Sequence, residues 1–223
     1  MGPGVTRGID IDIYTSAAAP SNSPLLFAFG TSHGFFTVSK RDADTSWISP
    51  APTPNTNDPK DIFALSFLCD NPSILLSGTR KGILNITDLR LPKFGADSDI
   101  INHPSSITHI KQLDMHRILV AGLNSTLCQY DLRFRKMDTP TPTTVPLWHA
   151  RKKDKSYRNP KPTCPILTYP DYHNNASIQL GLDVDLETGI IAAAQEWDEQ
   201  HPKVQLFSLH GGMYILRASL HQA

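Results

Sequence analysis

The sequence predicts an all-β chain built from repeated hairpin units. Three observations predict it: one block recurs along the chain, strand-length apolar runs fall at matching places in each copy, and tight-turn residues separate them. The first copy, Phe29-Gly30-Thr31-Ser32-His33-Gly34-Phe35-Phe36-Thr37-Val38-Ser39, aligns without gaps on Ser77-Gly78-Thr79-Arg80-Lys81-Gly82-Ile83-Leu84-Asn85-Ile86-Thr87, 48 positions on. Both read Gly-Thr-x-x-Gly and then an extended apolar run. The second copy closes on Asp88-Leu89-Arg90. A third, Ala121-Gly122-Leu123-Asn124-Ser125-Thr126-Leu127-Cys128-Gln129-Tyr130, closes on Asp131-Leu132-Arg133, with 43 residues from Arg90 to Arg133. A looser fourth copy leads from Ile190-Ile191-Ala192-Ala193-Ala194 through a polar stretch to Val204-Gln205-Leu206-Phe207-Ser208-Leu209.

Each copy opens on a strand with one face to bury. Phe63, Leu65 and Phe67 alternate with Ala64 and Ser66, and Leu180, Leu182, Val184 and Leu186 alternate with Gly181, Asp183, Asp185 and Glu187. Second strands follow as short continuous apolar runs, Ile74-Leu75-Leu76, Ile118-Leu119-Val120-Ala121 and Ile190 to Ala194, the pattern of a strand covered on both faces. Gly34, Gly82 and the pair Asn124-Ser125 then stand where a tight hairpin demands or tolerates a positive φ, and a third strand follows each. No segment shows helical periodicity beyond one turn. Residues 1–24 match no copy and are expected to be disordered or irregular. The repeat region is expected over 25–223, interrupted at 134–176 by a basic, proline-rich insertion.

Lys plus Arg and Asp plus Glu are both 21, so no global field draws the chain to nucleic acid or to an anionic membrane. Cys69, Cys128 and Cys164 are odd in number, far apart and outside any Cys-x-x-Cys pair, which argues against a disulfide framework and against a thiolate zinc site. None of the nine histidines pairs with another His or Cys at i+2 or i+4, so no metal ligand set and no cofactor is expected. Neither a spanning helix nor a signal-peptide pattern is present, and a nuclear or cytoplasmic setting with no membrane contact is expected.

Asp88-Leu89-Arg90 and Asp131-Leu132-Arg133 resemble the ends of WD40 repeats, where the third strand closes with Trp-Asp; here Thr87 and Tyr130 stand in place of Trp. Asn102-His103-Pro104-Ser105-Ser106-Ile107-Thr108 is similar to the Gly-His loop of such repeats, with Gly lost. That resemblance implies a WD40-type β-propeller. About four to five blades are visible, fewer than the seven or so usual in that family, so the expected form is a partial or open ring. A truncated gene product, a fragment, or a half that pairs with another copy would each give it. The physical expectation is an exposed edge near Phe27 or Ile215 and poor solubility of the lone chain. Asp-x-Arg at a blade end also resembles the box by which substrate receptors of the cullin-4 ubiquitin ligase contact the damage-specific DNA-binding protein 1 adaptor. Over Ile62 to Leu216, Tyr172-His173-Asn174-Asn175, Leu180-Gly181-Leu182-Asp183 and Phe207-Ser208-Leu209-His210 extend the resemblance to fungal relatives of cullin-4-associated factor 4. It implies partner contacts through Asp88, Arg90, Asp131 and Arg133, and a structural hydrogen-bond network around His103, Ser105, Thr108 and Tyr130 in which the imidazole bonds through Ser105, Ser106 or Thr108.

Against each candidate stands a plainer role. Asp88 and Asp131 can organise turns while Arg90 and Arg133 are solvated. Asp183, Asp185 and Glu187 lie on one strand face, but an apolar set alternates with them, which makes them a solvent face and not an acid/base pair. Gly78-Thr79-Arg80-Lys81-Gly82 lacks the Gly-Lys-Ser/Thr ending of a phosphate loop and opens a strand. No His-Glu-x-x-His occurs. The chain is therefore expected to be a non-catalytic protein-interaction scaffold, a substrate-receptor-like subunit. The alternative is a general scaffold in a nuclear RNA- or chromatin-processing complex, with weak nucleic-acid contact through 151–161, where Arg151-Lys152-Lys153-Asp154-Lys155 concentrates charge and Trp148 stands nearby as a docking anchor.

Overall fold

The computed structural model describes residues 11–41, 45–48, 61–91, 99–133, 163–196 and 204–218. They form four antiparallel sheets of four strands, each a meander in chain order. The first blade holds β1 (Ile13–Ala18), β2 (Leu25–Thr31), β3 (Gly34–Ser39) and β4 (Thr45–Ile48). The second holds β5 (Ile62–Phe67), β6 (Ile74–Thr79), β7 (Ile83–Asp88) and β8 (Asp99–Asn102). In the third, β9 (Ile107–Gln112), β10 (Arg117–Gly122) and β11 (Thr126–Asp131) are followed after a long interval by β12 (Leu167–Thr168). The fourth holds β13 (Leu182–Asp185), β14 (Ile190–Ala194), β15 (Val204–Ser208) and β16 (Tyr214–Ala218). First strand packs on first strand, β1 on β5, β5 on β9 and, more sparsely, β9 on β13.

Three apolar clusters fill the three seams. Ala28 and Phe35 of the first blade meet Ile62, Leu65, Phe67 and Leu75 of the second. Leu76, Leu84 and Ile86 of the second meet Ile118, Val120, Cys128 and Tyr130 of the third. Leu119, Ala121 and Leu127 of the third meet Leu182, Ile191, Ala193 and Phe207 of the fourth. Successive residues of a strand serve opposite seams, which is why the second strands read as continuous apolar runs instead of alternating ones. Turn chemistry follows the sequence: Gly34, Gly82, Asn124 and Ser125 all have positive φ.

The structure departs from the sequence reading in several places. Part of the 1–24 stretch is not irregular, because β1 pairs with β2 from Ile13↔Thr31 to Ala18↔Phe27. Its Thr-Ser-Ala-Ala stretch gives little apolar signal, and pairing with β2 and packing on β5 place it. Ile62, not Phe63, shares a seam with Leu65 and Phe67, because the β5–β6 register shifts between Ile62 and Ala64. Phe63 instead packs nearly perpendicular to the Tyr14 ring, with centroids 5.1 Å apart. Leu180 and Leu186 lie outside β13, and Leu186 is 53% exposed. The expected insertion ends early: by Thr163, whose amide donates to the Asn102 carbonyl, the chain is back on the sheets, and Tyr169 and Tyr172 are buried in the third seam. Residues 134–162, with Trp148 and the basic run, lie outside the described residues.

The gapless repeat alignment also slips by one residue at the first hairpin. Gly30 lies opposite Phe35, as Gly78 lies opposite Leu84, so Phe35 and not Phe36 takes the place of Leu84. One residue of slip exchanges the two faces of a strand. Phe35 is buried against the second blade, and Phe36 turns to the other face.

Candidate functional site

At the end of each third strand the chain makes the same turn. The amide of the residue one past the strand donates to the carbonyl just before the second strand: Lys40 to Pro24 (2.9 Å), Leu89 to Ser73 (2.8 Å), Leu132 to His116 (2.7 Å) and Leu209 to Gly189 (2.8 Å). Leu132 and Leu209 are buried, and Leu89 is partly so, which explains the middle residue of Asp-Leu-Arg: it plugs the seam while its neighbours sit at the rim.

The flanking Asp and Arg form a closed clamp, built alike in two blades. Asp88 accepts from the Arg90 amide (3.0 Å), from its Nε (2.9 Å) and, on the second oxygen, from its Nη2 (2.6 Å). Asp131 accepts from the Arg133 amide (2.9 Å), Nε (3.0 Å) and Nη2 (2.6 Å). Hydrogen bonds from the Arg133 side chain, then from its amide, hold the Asp131 carboxyl down to about 2, and Arg90 lowers Asp88 by the same means. Both arginine side chains stay mostly exposed, at 65% for Arg90 and 60% for Arg133. Asp114 extends the rim beside Arg133, accepting from the amides of His116 and Arg117 and pairing with Arg117 Nε at 2.6 Å.

The one-residue slip adds a residue that the sequence reading missed. Ser39-Lys40-Arg41 occupies the place of Asp88-Leu89-Arg90, and the Arg41 amide donates to Ser39 Oγ at 3.3 Å. Arginine thus stands at the same rim position in three blades, as Arg41, Arg90 and Arg133. In the fourth blade His210 takes that place, and Ser208 Oγ accepts from the Gly211 amide at 3.2 Å. The signal was an arginine two residues past the strand end; the Gly-to-Gly alignment hid it.

The remaining site residues lie between the second and third blades. His103 is buried, with Nδ1 at 2.9 Å from Tyr130 Oη and Nε2 at 2.9 Å from Thr126 Oγ1. With Thr126 Oγ1 donating to the Leu123 carbonyl (2.8 Å), the tautomer that completes the network carries its proton on Nε2 and accepts from the tyrosine hydroxyl at Nδ1. Burial lowers the His103 pKa to about 4, which keeps the imidazole neutral as this pattern needs. Ser105 reaches His103 only through Thr126, at 2.6 Å. Thr108 donates instead to the Ala121 carbonyl (3.2 Å) and Ser106 to that of Arg80, so neither bonds the imidazole. Gly122 makes room for the network: a Cβ there would lie 2.6 Å from Ser105 Oγ and 2.8 Å from His103 Nε2.

No family model and no curated protein matches the chain. Among solved structures it is similar to a chain in the crystal structure of the mitotic checkpoint complex, with a TM-score of 0.57 and 12% identity over 92% of this chain and 50% of that one. The fold is a partial WD40-type propeller. A computationally designed protein gives a TM-score of 0.56 and 11% identity over 93% of this chain and 50% of the other. Likeness at these identities shows the fold alone, and the chain spans about half the length of either structure. Among the described residues no group of three or more His, Cys, Asp or Glu is placed to hold a metal ion, and no helix is long and apolar enough to cross a membrane.

Proposed function

We propose that this chain is a non-catalytic protein-interaction scaffold whose arginine rim docks the adaptor of a cullin-4 ubiquitin ligase, the damage-specific DNA-binding protein 1 type, leaving other surfaces for a protein substrate. The observation that carries the reading is the repeated clamp. In Arg90 and Arg133 the carboxylate engages Nε and Nη2 and holds the guanidinium plane at one attitude on the rim. A side chain fixed in this way loses less conformational freedom when it meets carbonyl or carboxylate groups of a partner. Arg41 adds a third cation at the equivalent place, with serine instead of aspartate behind it. The fold itself supports protein partners in general, and the adaptor is read from the resemblance of the Asp-x-Arg boxes.

Co-purification tests this. Wild-type chain is expected to recover adaptor and cullin, and Arg133→Ala to lose most of that recovery while keeping a cooperative melt at a modestly lower temperature, because the Asp131 carboxylate loses its partner. Equal recovery by wild type and by the Arg90→Ala/Arg133→Ala double variant would overturn the reading.

A further inference from the structure

We propose that two copies of this chain join head to tail, the fourth blade of each on the first blade of the other, to close one ring around a two-fold axis. The faces that would meet are the two that no described element covers. On the fourth blade, Ala192 pairs with Leu206 and Ala194 with Val204, and all four are half-buried. Their equivalents in the third blade, Leu119 opposite Gln129 and Ala121 opposite Leu127, are fully buried because the fourth blade lies on them. On the first blade, Phe27 is 43% exposed and pairs with Val38, while Phe29 pairs with Phe36 and stacks on it at 5.0 Å.

Side-chain size makes the two faces a match for one another. Phe29 and Phe36 stand where the second blade has Ser77 and Asn85, the third Val120 and Cys128, and the fourth Ala193 and Gln205. The first blade therefore bears an aromatic ridge that the others lack. In turn, the fourth blade has Ala192 where the second and third have Leu76 and Leu119, and Val204 where they have Leu84 and Leu127. It presents a hollow where they present leucine. A ridge on one end and a hollow on the other fill a seam at the density of the internal ones, whereas ridge on ridge would overpack. The chain covers 50% of each larger structure it resembles, so two copies together match the length of one such structure. A heterologous contact that closes after two copies leaves no blade face in water.

Light scattering on the purified 223-residue chain tests the proposal. Wild type is expected at twice the chain mass. Phe27→Asp, which damages the ridge, and Leu206→Asp, which damages the hollow, are each expected at the single-chain mass, because every seam of the ring needs one of each face. Mixing the two variants restores one undamaged seam, and a two-chain species is expected to return. Val38→Lys and Ala194→Asp serve in place of either variant if it loses its cooperative melt. A wild-type chain that stays single at all concentrations, or grows without limit, overturns the proposal. So does a Leu206→Asp chain that still pairs, since that would place ridge on ridge.

Discussion

The seam between the second and third blades and the outward faces of the first and fourth are made of the same strand positions, yet they differ in what those positions carry. Inside, Leu76, Leu84 and Ile86 face Ile118 and Val120, aliphatic side chains of similar size, and all of them are buried. At the ends the sizes diverge, aromatic on one blade and alanine on the other. A repeat thus specifies its neighbours by the volume it presents as well as by being apolar, and the outward faces of the first and fourth blades differ in volume in opposite senses.

The comparison can be broken by truncation. With Phe27→Asp as background, so that one copy is measured, Leu76→Ala is expected to destabilise by about 2–5 kcal/mol in urea unfolding, as deletions in sealed cores do. Val204→Ala on the uncovered fourth-blade face is expected to cost roughly 1 kcal/mol or less. Equal losses would mean that the outer face is as sealed as the inner seam.

The inner seam also carries a pH signature. His103 has its pKa pushed down to about 4 by burial, against an ordinary value of about 6.5 in the unfolded chain. Between those values the unfolded state binds a proton that the folded state refuses, so stability rises with pH across this window. The contribution is complete above about 6.5 and falls by about 3 kcal/mol as pH drops to 4. A His103→Asn chain, with the imidazole gone, is expected to lose that slope between pH 6.5 and 4; an unchanged slope would assign it to other groups. A smaller effect is expected from Gly122→Ala, which forces Ser105, His103 or the Ser106 carbonyl to shift and costs on the order of 1–3 kcal/mol.

Much of this was legible in the sequence, for reasons that differ by element. β6 and β10 announce themselves because a strand covered on both faces must be apolar throughout. Gly82 and Asn124-Ser125 do so because their backbone must adopt a positive φ. β1 was hidden, since Tyr-Thr-Ser-Ala-Ala carries little apolar contrast and the strand is held by pairing with β2. At the rim, both Asp-Leu-Arg endings were visible as motifs. Arg41 was not, because a two-residue hairpin in the first blade replaces the longer turn of the second and shifts the register by one. Tyr130 was named, but its direct bond to His103 and the part played by Thr126 needed the third dimension.

Thiol labelling of two equivalent alanines tests the contrast between sealed seam and open face most directly. Ala121 opposite Leu127 and Ala194 opposite Val204 hold the same place in adjacent blades. Each is replaced by Cys in a Phe27→Asp chain whose exposed Cys69 and Cys164 are changed to Ser, leaving buried Cys128. The expected result is fast labelling of Ala194→Cys under native conditions and labelling of Ala121→Cys only on unfolding. Equal rates at the two positions would contradict it.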